Sequence, residues 1–427
     1  MDLRRGFRPR PRPRRRPAAH RPPGRFRVTP TPFRVRAALT TAFACTGLTM
    51  ATWVSRTPAI RDLTHSSTAQ MGLVIAGLSA GSMVGIAVGG TYVARTGARS
   101  VVRTGMLAIA LGSVVVAAGA GLGHAPLVAL GLAFLGFGMG SGEIALNVEG
   151  VALESVVGRT VVPSLHGAYS AGLCAGALLG LAANATHLPV PVHLLAVAGL
   201  TAGATGWLVR NLATGTGREQ QRRTRVPLRE TVTGFLSVWR ERRTLAIGVV
   251  VLGMALAEGS AGDWLPLIVV DGFGLTATTG SLVYAFFGAA MATGRFAGGP
   301  LLDRYGRAPV LLTSAGAAVV GIALVSFAPG IALAVVGVLL WGLGAALGFP
   351  VALSAAGDDP VGAARRVSAV ATMGYLAFLV GPPVLGFVGE HVGLRGAILL
   401  VLVVVTVSGS FSRAVAKPSP QPTREAV

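Results

Sequence analysis

Five ionisable side chains lie where the sequence offers them no water. Glu143 and Glu149 fall in an apolar run over 127–153, Glu258 and Asp263 in a run over 244–270, and Arg295 in a run over 275–300. A charge at the centre of such a run costs about 3 kcal/mol on insertion scales, so each needs a reason. A carboxylate there can take a proton from one side and release it to the other, or it can be a structural acid held by a hydroxyl or a guanidinium. Glu258, near the middle of its run, is the first candidate for the proton, with Arg295 as its alternative, structural partner. Glu143, Asn147, Gly150 and Glu154 share one helical face by their spacing. That face is a polar track if the helix stays in lipid. If the helix projects early, Glu154 and Glu149 stand in water, with Glu154 facing Arg159. His166 opens the next run and could relay protons, since imidazole titrates near neutrality, or cap the helix. Asp263 adjoins Trp264, a pairing that suits a sugar or a cation, while Trp264 equally suits an interfacial aromatic belt.

Other chemistry is not suggested. Cys45 and Cys174 both lie inside apolar runs and give neither a disulfide framework nor metal spacing. Gly172, Gly176 and Gly180 form a small-xxx-small packing face, not a phosphate loop. No nucleotide, dinucleotide or zinc motif appears, so no cofactor, no metal, no ATP drive and no enzyme is expected.

The elements that must position these groups are transmembrane. The chain is 52% hydrophobic and 12% charged, against roughly 25% charged in a soluble domain. Apolar runs of about 18–25 residues recur, each long enough to cross the bilayer core. They predict an all-α protein of twelve spans, at 37–55, 69–93, 101–122, 127–153, 163–185 and 190–210, then at 244–270, 275–300, 308–328, 331–353, 367–389 and 392–413. The first run reads as a span, not a cleaved leader, because eleven more follow. Residues 1–36 form an Arg/Pro-rich tail that cannot build a core. Bundles at 37–210 and 244–413 flank a basic linker, 211–243, and 414–427 is a second tail.

The charge of +21 raises nucleic acid as a partner, but thirteen arginines lie in the first 36 residues and most others in short gaps between runs. The tail has only Phe7, Phe26 and Phe33 for base stacking, so anionic lipid is the nearer partner and no nucleic acid is expected. With a cytoplasmic N-terminus, all basic residues fall inside except Arg56, Arg61 and Arg395, which fall outside, and Arg295, which lies within a span. Both termini are therefore expected in the cytoplasm of a plasma or inner membrane.

The two halves repeat. GTYVARTGAR (90–99) matches GPLLDRYGRA (299–308), Trp53 matches Trp264, and GFGMGSG (136–142) resembles GLGAALG (342–348), at offsets of 206 to 211 residues. The first pair resembles the loop signature G-x-x-x-D-R/K-x-G-R/K-R/K of the major facilitator superfamily. Gly299, Asp303, Arg304, Gly306 and Arg307 keep it nearly whole; Gly90, Arg95, Gly97 and Arg99 keep it in part, with Ala94 at the acidic position. The resemblance implies two six-helix bundles, a cavity lined by spans one, four, seven and ten, and a gating loop in which Asp303 caps a helix and pairs with a partner that separates. The stretch from Glu143 and Asn147 through Glu154 to His166-Gly167 and Tyr169-Ser170 is similar to the fucose–proton-symporter-like branch and related bacterial permeases, with Glu143 where that pattern carries Asp. No Gly-Pro motif marks span five, as it does in many drug–proton antiporters; Gly381-Pro382-Pro383 lies in span eleven instead. The resemblance implies a secondary transporter of a small solute, proton-coupled, with sugar or metabolite uptake as one use and export of a drug or metabolite as the other. The rival of another class is a non-transporting receptor or scaffold.

Overall fold

A computed structural model describes residues 30–158, 161–218, 238–359 and 362–417. They fold into thirteen α-helices and no strand: α1 (Pro32–Leu63), α2 (Thr68–Thr96), α3 (Ala98–Gly121), α4 (Ala125–Val157), α5 (Val162–Ala185), α6 (Val190–Asn211), α7 (Arg242–Phe273), α8 (Ala277–Tyr305), α9 (Arg307–Phe327), α10 (Ile331–Ala345), α11 (Gly348–Ala356), α12 (Ala363–Val392) and α13 (Leu394–Ser410). Helices α10 and α11 form one span, broken at Ala346-Leu347, so the chain crosses twelve times. Ten spans are long and apolar enough to be recognised by composition; α8 is diluted by Arg295, Asp303 and Arg304, and α13 is short.

The helices outrun the apolar stretches. α1 covers 32–63 where 37–55 was expected, because Thr31 accepts the Arg34 N–H at its start and Pro32 fits the first turn, where no N–H is needed. Residues 32–36 are thus helical, not tail. α2 begins with a reciprocal capping box between Ser67 and Gln70. Two turns need glycine. Gly97 alone joins α2 to α3 at φ 86°, ψ 151°, and Gly306 alone joins α8 to α9 at φ 79°, ψ 167°, a region closed to residues with a Cβ. The repeat seen in the sequence is therefore a repeat of backbone geometry.

Packing repeats as well. α4 lies on α2 and α3, α5 on α1, and α6 on α1 and α3; α10 lies on α8 and α9, α12 on α7, and α13 on α7 and α9. Gly172 and Gly176 bring α5 so close to α1 that a Cβ on either would strike the Ala44 or Leu48 carbonyl. The halves meet through α2 against α12, α5 against α8, and α1 against α7 and α8.

Candidate functional site

Between the halves lies a cavity of about 1070 Å³. Its lining reaches Gly299, Leu302, Arg307 and Ser354, so it extends to the end that carries the Gly97 and Gly306 turns. The far end is sealed by bonds between the halves. Arg61 of α1 pairs with Asp271 of α7. Asn184 of α5 donates to the Ser55 carbonyl, the Ala277 carbonyl and Ser281 Oγ, at 3.1, 3.3 and 2.9 Å, and accepts from Arg56. Glu390 of α12 accepts the Ala69 N–H at the start of α2, at 3.0 Å. Among the described residues, no hydrogen bond or ion pair joins the halves at the loop end.

Glu143, Glu258, Asp263, Arg295 and His166 all line this cavity. Arg295 of α8 binds Glu258 of α7 at 2.7 Å, each side chain about a third exposed (32% and 27%). Arg295 is thus bonded to Glu258 as the structural alternative in the sequence had it. α10 braces α7 one residue away, where Trp341 Nε1 donates to the Ala257 carbonyl at 3.0 Å. Asp263 is 8% exposed and has no hydrogen bond or ion pair among the described residues. Glu143 projects from α4 into the cavity, and its carboxylate is equally without a partner among the described residues. On α7, Pro266 supplies no N–H to the carbonyl of Gly262, itself a cavity residue.

The expected track down α4 is a single face, but its partners belong to α5. Asn147 does not line the cavity; its Oδ1 meets His166 Nε2 at 3.2 Å, with the imidazole tilted against Phe43. Gly150 packs on Val162 and Leu165. Glu154 accepts the N–H groups of Val161 and Val162, at 2.6 and 2.9 Å, and so caps α5. The expected partner, Arg159, lies outside the described residues.

Two other candidates lie away from the cavity. Glu149 is 1% exposed and bonds Thr216 beside Arg99, fastening α4 to the segment after α6. The Thr216 carbonyl in turn accepts the Ala98 N–H at the α2–α3 turn, at 2.9 Å. Trp264 is fully buried, with neither a belt position nor a face on the cavity, and its indole N–H has no described partner. It matches Trp53, also buried, as a packing landmark.

At the loop end no bond joins the halves among the described residues, so a partner of Asp303 that separates on gating is already apart from it here. Asp303 is exposed and makes no hydrogen bond or ion pair among the described residues, and Arg95 likewise is exposed without an ion pair. Arg304 lies over the Tyr305 ring. The paired acid at this end is Asp358, after α11, bonded within the second half. It binds Arg307 at 2.6 Å and Arg243 at 2.8 Å, and Arg307 also donates to Ser354 at 2.9 Å. Partial burial alone would raise the Asp358 pKa, but the two guanidiniums outweigh it and hold the carboxyl below its ordinary value. Beside it, hydrogen bonding from Arg366 depresses Glu241. Asp358 lies outside the signature, and the acidic pair before Arg365-Arg366 was its only trace in the sequence.

The profile of the Major Facilitator Superfamily matches residues 5–181, 151–375 and 265–426. The chain belongs to the major facilitator superfamily. It is 31% identical over 374 residues to the uncharacterized transporter y4wD of Sinorhizobium fredii, covering 87% of this chain and 94% of that one. Among solved structures, a mutant form of the nucleoside transporter NupG superposes with a TM-score of 0.75 at 14% identity, covering 89% of this chain and 99% of that one. The transporter FucP, in its outward conformation, gives 0.64 at 16%, covering 90% and 99%. At these identities the solved structures share the fold with this superfamily member. The chain is a multi-pass membrane transporter of twelve helices.

Proposed function

We propose that this superfamily member is a proton-coupled secondary transporter of a small organic solute that works by alternating access. The observation that carries the reading is a cavity open at one end and latched at the other, with carboxylates from both halves at its walls. Glu143 belongs to the first half, Asp263 and Glu258 to the second. A rocking motion of one half against the other would break the Arg61–Asp271 and Asn184 contacts, close the loop end, and carry these groups from one side to the other.

The proton assignment moves from its first choice. Protonating Glu258 would cost the bond to Arg295, whereas Asp263 and Glu143 have no ion pair to lose among the described residues. These two are the coupling acids in this reading, with Glu258–Arg295 as a positioning pair and His166, held by Asn147, beside the cavity wall. The lysine and arginine distribution supports a cytoplasmic loop end, termini and linker at the cell membrane, and in this reading the described form is inward-open.

Purified full-length protein in vesicles loaded with a pH indicator tests this. Adding D-xylose, L-fucose, a nucleoside or an amine in turn should produce a proton flux with at least one solute, lost in the double variant Asp263→Asn/Glu143→Gln. Solute movement that is insensitive to the pH gradient and intact in that variant would overturn proton coupling.

A further inference from the structure

The lining of the cavity narrows what it can hold, if the cavity is the substrate site as proposed above. We propose that it takes a small organic cation, a protonated primary or secondary amine on a compact and largely apolar body, bound at Asp263 with Glu143 as the opposing counter-charge.

Charge comes first. Three carboxylates, Glu143, Glu258 and Asp263, line the cavity. Arg295 is committed to Glu258 at 2.7 Å, and Arg307 at the mouth is held by Asp358 and Ser354. Two carboxylates are left without a cation, one on each half. Asp263 is more than nine-tenths buried, faces the cavity, and has no partner among the described residues. A carboxylate so placed must take a proton or a cation. An anionic solute would meet both carboxylates and no free guanidinium.

Hydrogen-bond chemistry comes second. Among the described residues no Asn, Gln or Lys lines the cavity. Of the hydroxyls that line it, Thr46 donates to the Ala42 carbonyl, Ser79 to Phe378, Ser164 to Val161 and Ser170 to His166, while Ser82 and the hydroxyls of Tyr169, Tyr284 and Tyr375 have no hydrogen bond among the described residues. A polyol needs donors and acceptors in matched pairs. The strongest groups of this lining are acceptors: two carboxylates, and the Gly262 carbonyl, which Pro266 leaves without its helical donor. An ammonium group has only donors to give.

The walls come third. Tyr169, Tyr284, Tyr375 and Phe378 present rings to the cavity, and a cation over such a face is attracted by the ring quadrupole. Five methionines (Met50, Met83, Met106, Met139 and Met291) supply a soft, adaptable apolar wall for the body.

Exchange follows from competition. When the amine binds, its N–H donates to Asp263, and the proton that neutralised the carboxyl leaves to water in the open mouth. When the amine departs on the other side, a proton from that side replaces it. The same two oxygens serve cation and proton in turn, so the transport is antiport.

The test is a matched pair on the full-length protein in detergent at about pH 8, where a carboxylate is readily freed. 2-Phenylethylamine should bind, raise the melting temperature and release protons into a weakly buffered indicator solution. 2-Phenylethanol, of the same shape without the charge, should do none of these. Asp263→Asn should weaken amine binding at least about tenfold, the loss of roughly one charge-assisted hydrogen bond, and reduce proton release. Should that variant not fold, the parent protein still decides: its amine affinity must fall as pH is lowered from about 8 to about 5, because protons compete for a carboxylate held away from water. Equal binding of alcohol and amine overturns the proposal. So does an absence of binding by 2-phenylethylamine, cyclohexylamine and putrescine alike. Binding of D-xylose or L-fucose with proton flux in vesicles, and none of the amines, overturns it while leaving proton-coupled transport standing.

Discussion

Asp263 and Glu258 lie five residues apart on α7, and neutralising them should shift stability in opposite directions. Glu258→Gln breaks a 2.7 Å ion pair and leaves the Arg295 guanidinium without its hydrogen-bonded carboxylate. Removing one partner costs about 3–5 kcal/mol when a pair is fully buried and about 0–1 when it is exposed. With the two side chains 27% and 32% exposed, an intermediate loss of about 1–2 kcal/mol is expected. Asp263→Asn removes a carboxylate that is 8% exposed and has no described partner. The insertion cost of such a charge, about 3 kcal/mol at the bilayer centre, bounds the gain. An amide still wants a hydrogen bond and the cavity wets one side of Asp263, so a stabilisation of about 1 kcal/mol is expected. Reversible unfolding of both variants at neutral pH, in mixed mild and denaturing detergent without solute, reads the difference. The arginine partner supplies the control: in a double-mutant cycle, Glu258→Gln and Arg295→Gln should be strongly non-additive, whereas Asp263→Asn and Arg295→Gln should add. Destabilisation by Asp263→Asn of more than about 1 kcal/mol would show that the carboxylate has a structural partner. That result would sink its assignment as the free acid of the site.

Asp358 should confer a pH-dependent stability on the loop end. Its folded pKa lies below the ordinary value, so the stability it contributes is full above about pH 4 and is lost as pH falls further, through the folded value; Asp358→Asn should cost about 1–3 kcal/mol at neutral pH, and its unfolding difference from the parent should vanish in acid. Gly306→Ala places a Cβ at φ 79°, ψ 167° and should cost about 1–3 kcal/mol, as should Gly97→Ala; unfolding within a few tenths of a kcal/mol of the parent would show that the turns relax freely. Reporter fusions after Leu122 and after Pro329 should be active only outside the cytoplasm, since both positions follow helices that start at the loop end; cytoplasmic activity at either would invert or break the twelve-span order.

The spans were legible because lipid demands long apolar runs, and the halves because Gly97 and Gly306 mark turns that only glycine can make. Which way a span faces was much less legible. α4 and α7 are apolar nearly all round, so periodicity could not say that Glu149 and Trp264 turn away from the cavity while their neighbours Glu143 and Asp263 turn into it. The spacing of Glu143, Asn147 and Glu154 did give a shared face, but not that α5 would occupy it. Asp358 and Asn184 were missed for a different reason: each gains its role from partners far along the chain, Arg243 and Arg307 for the first, Ser55 and Ser281 for the second. Pairing of that kind carries no local pattern. Arg56 shows the same limit, since it was counted as a loop charge yet is 3% exposed and bonded to Asn184 and the Leu188 carbonyl.

In the proposed cycle the two unpaired carboxylates also tie the molecule to membrane voltage. One elementary charge crossing the whole field is worth about 2.3 kcal/mol per 100 mV, and groups that swing between an inner and an outer opening sense part of it. A carrier whose two acids are bare would move negative charge as it rocks; one whose acids hold protons or a cation would move less. Membrane potential therefore acts unequally on the empty and the loaded forms, and the current accompanying each half-cycle reports which form is crossing.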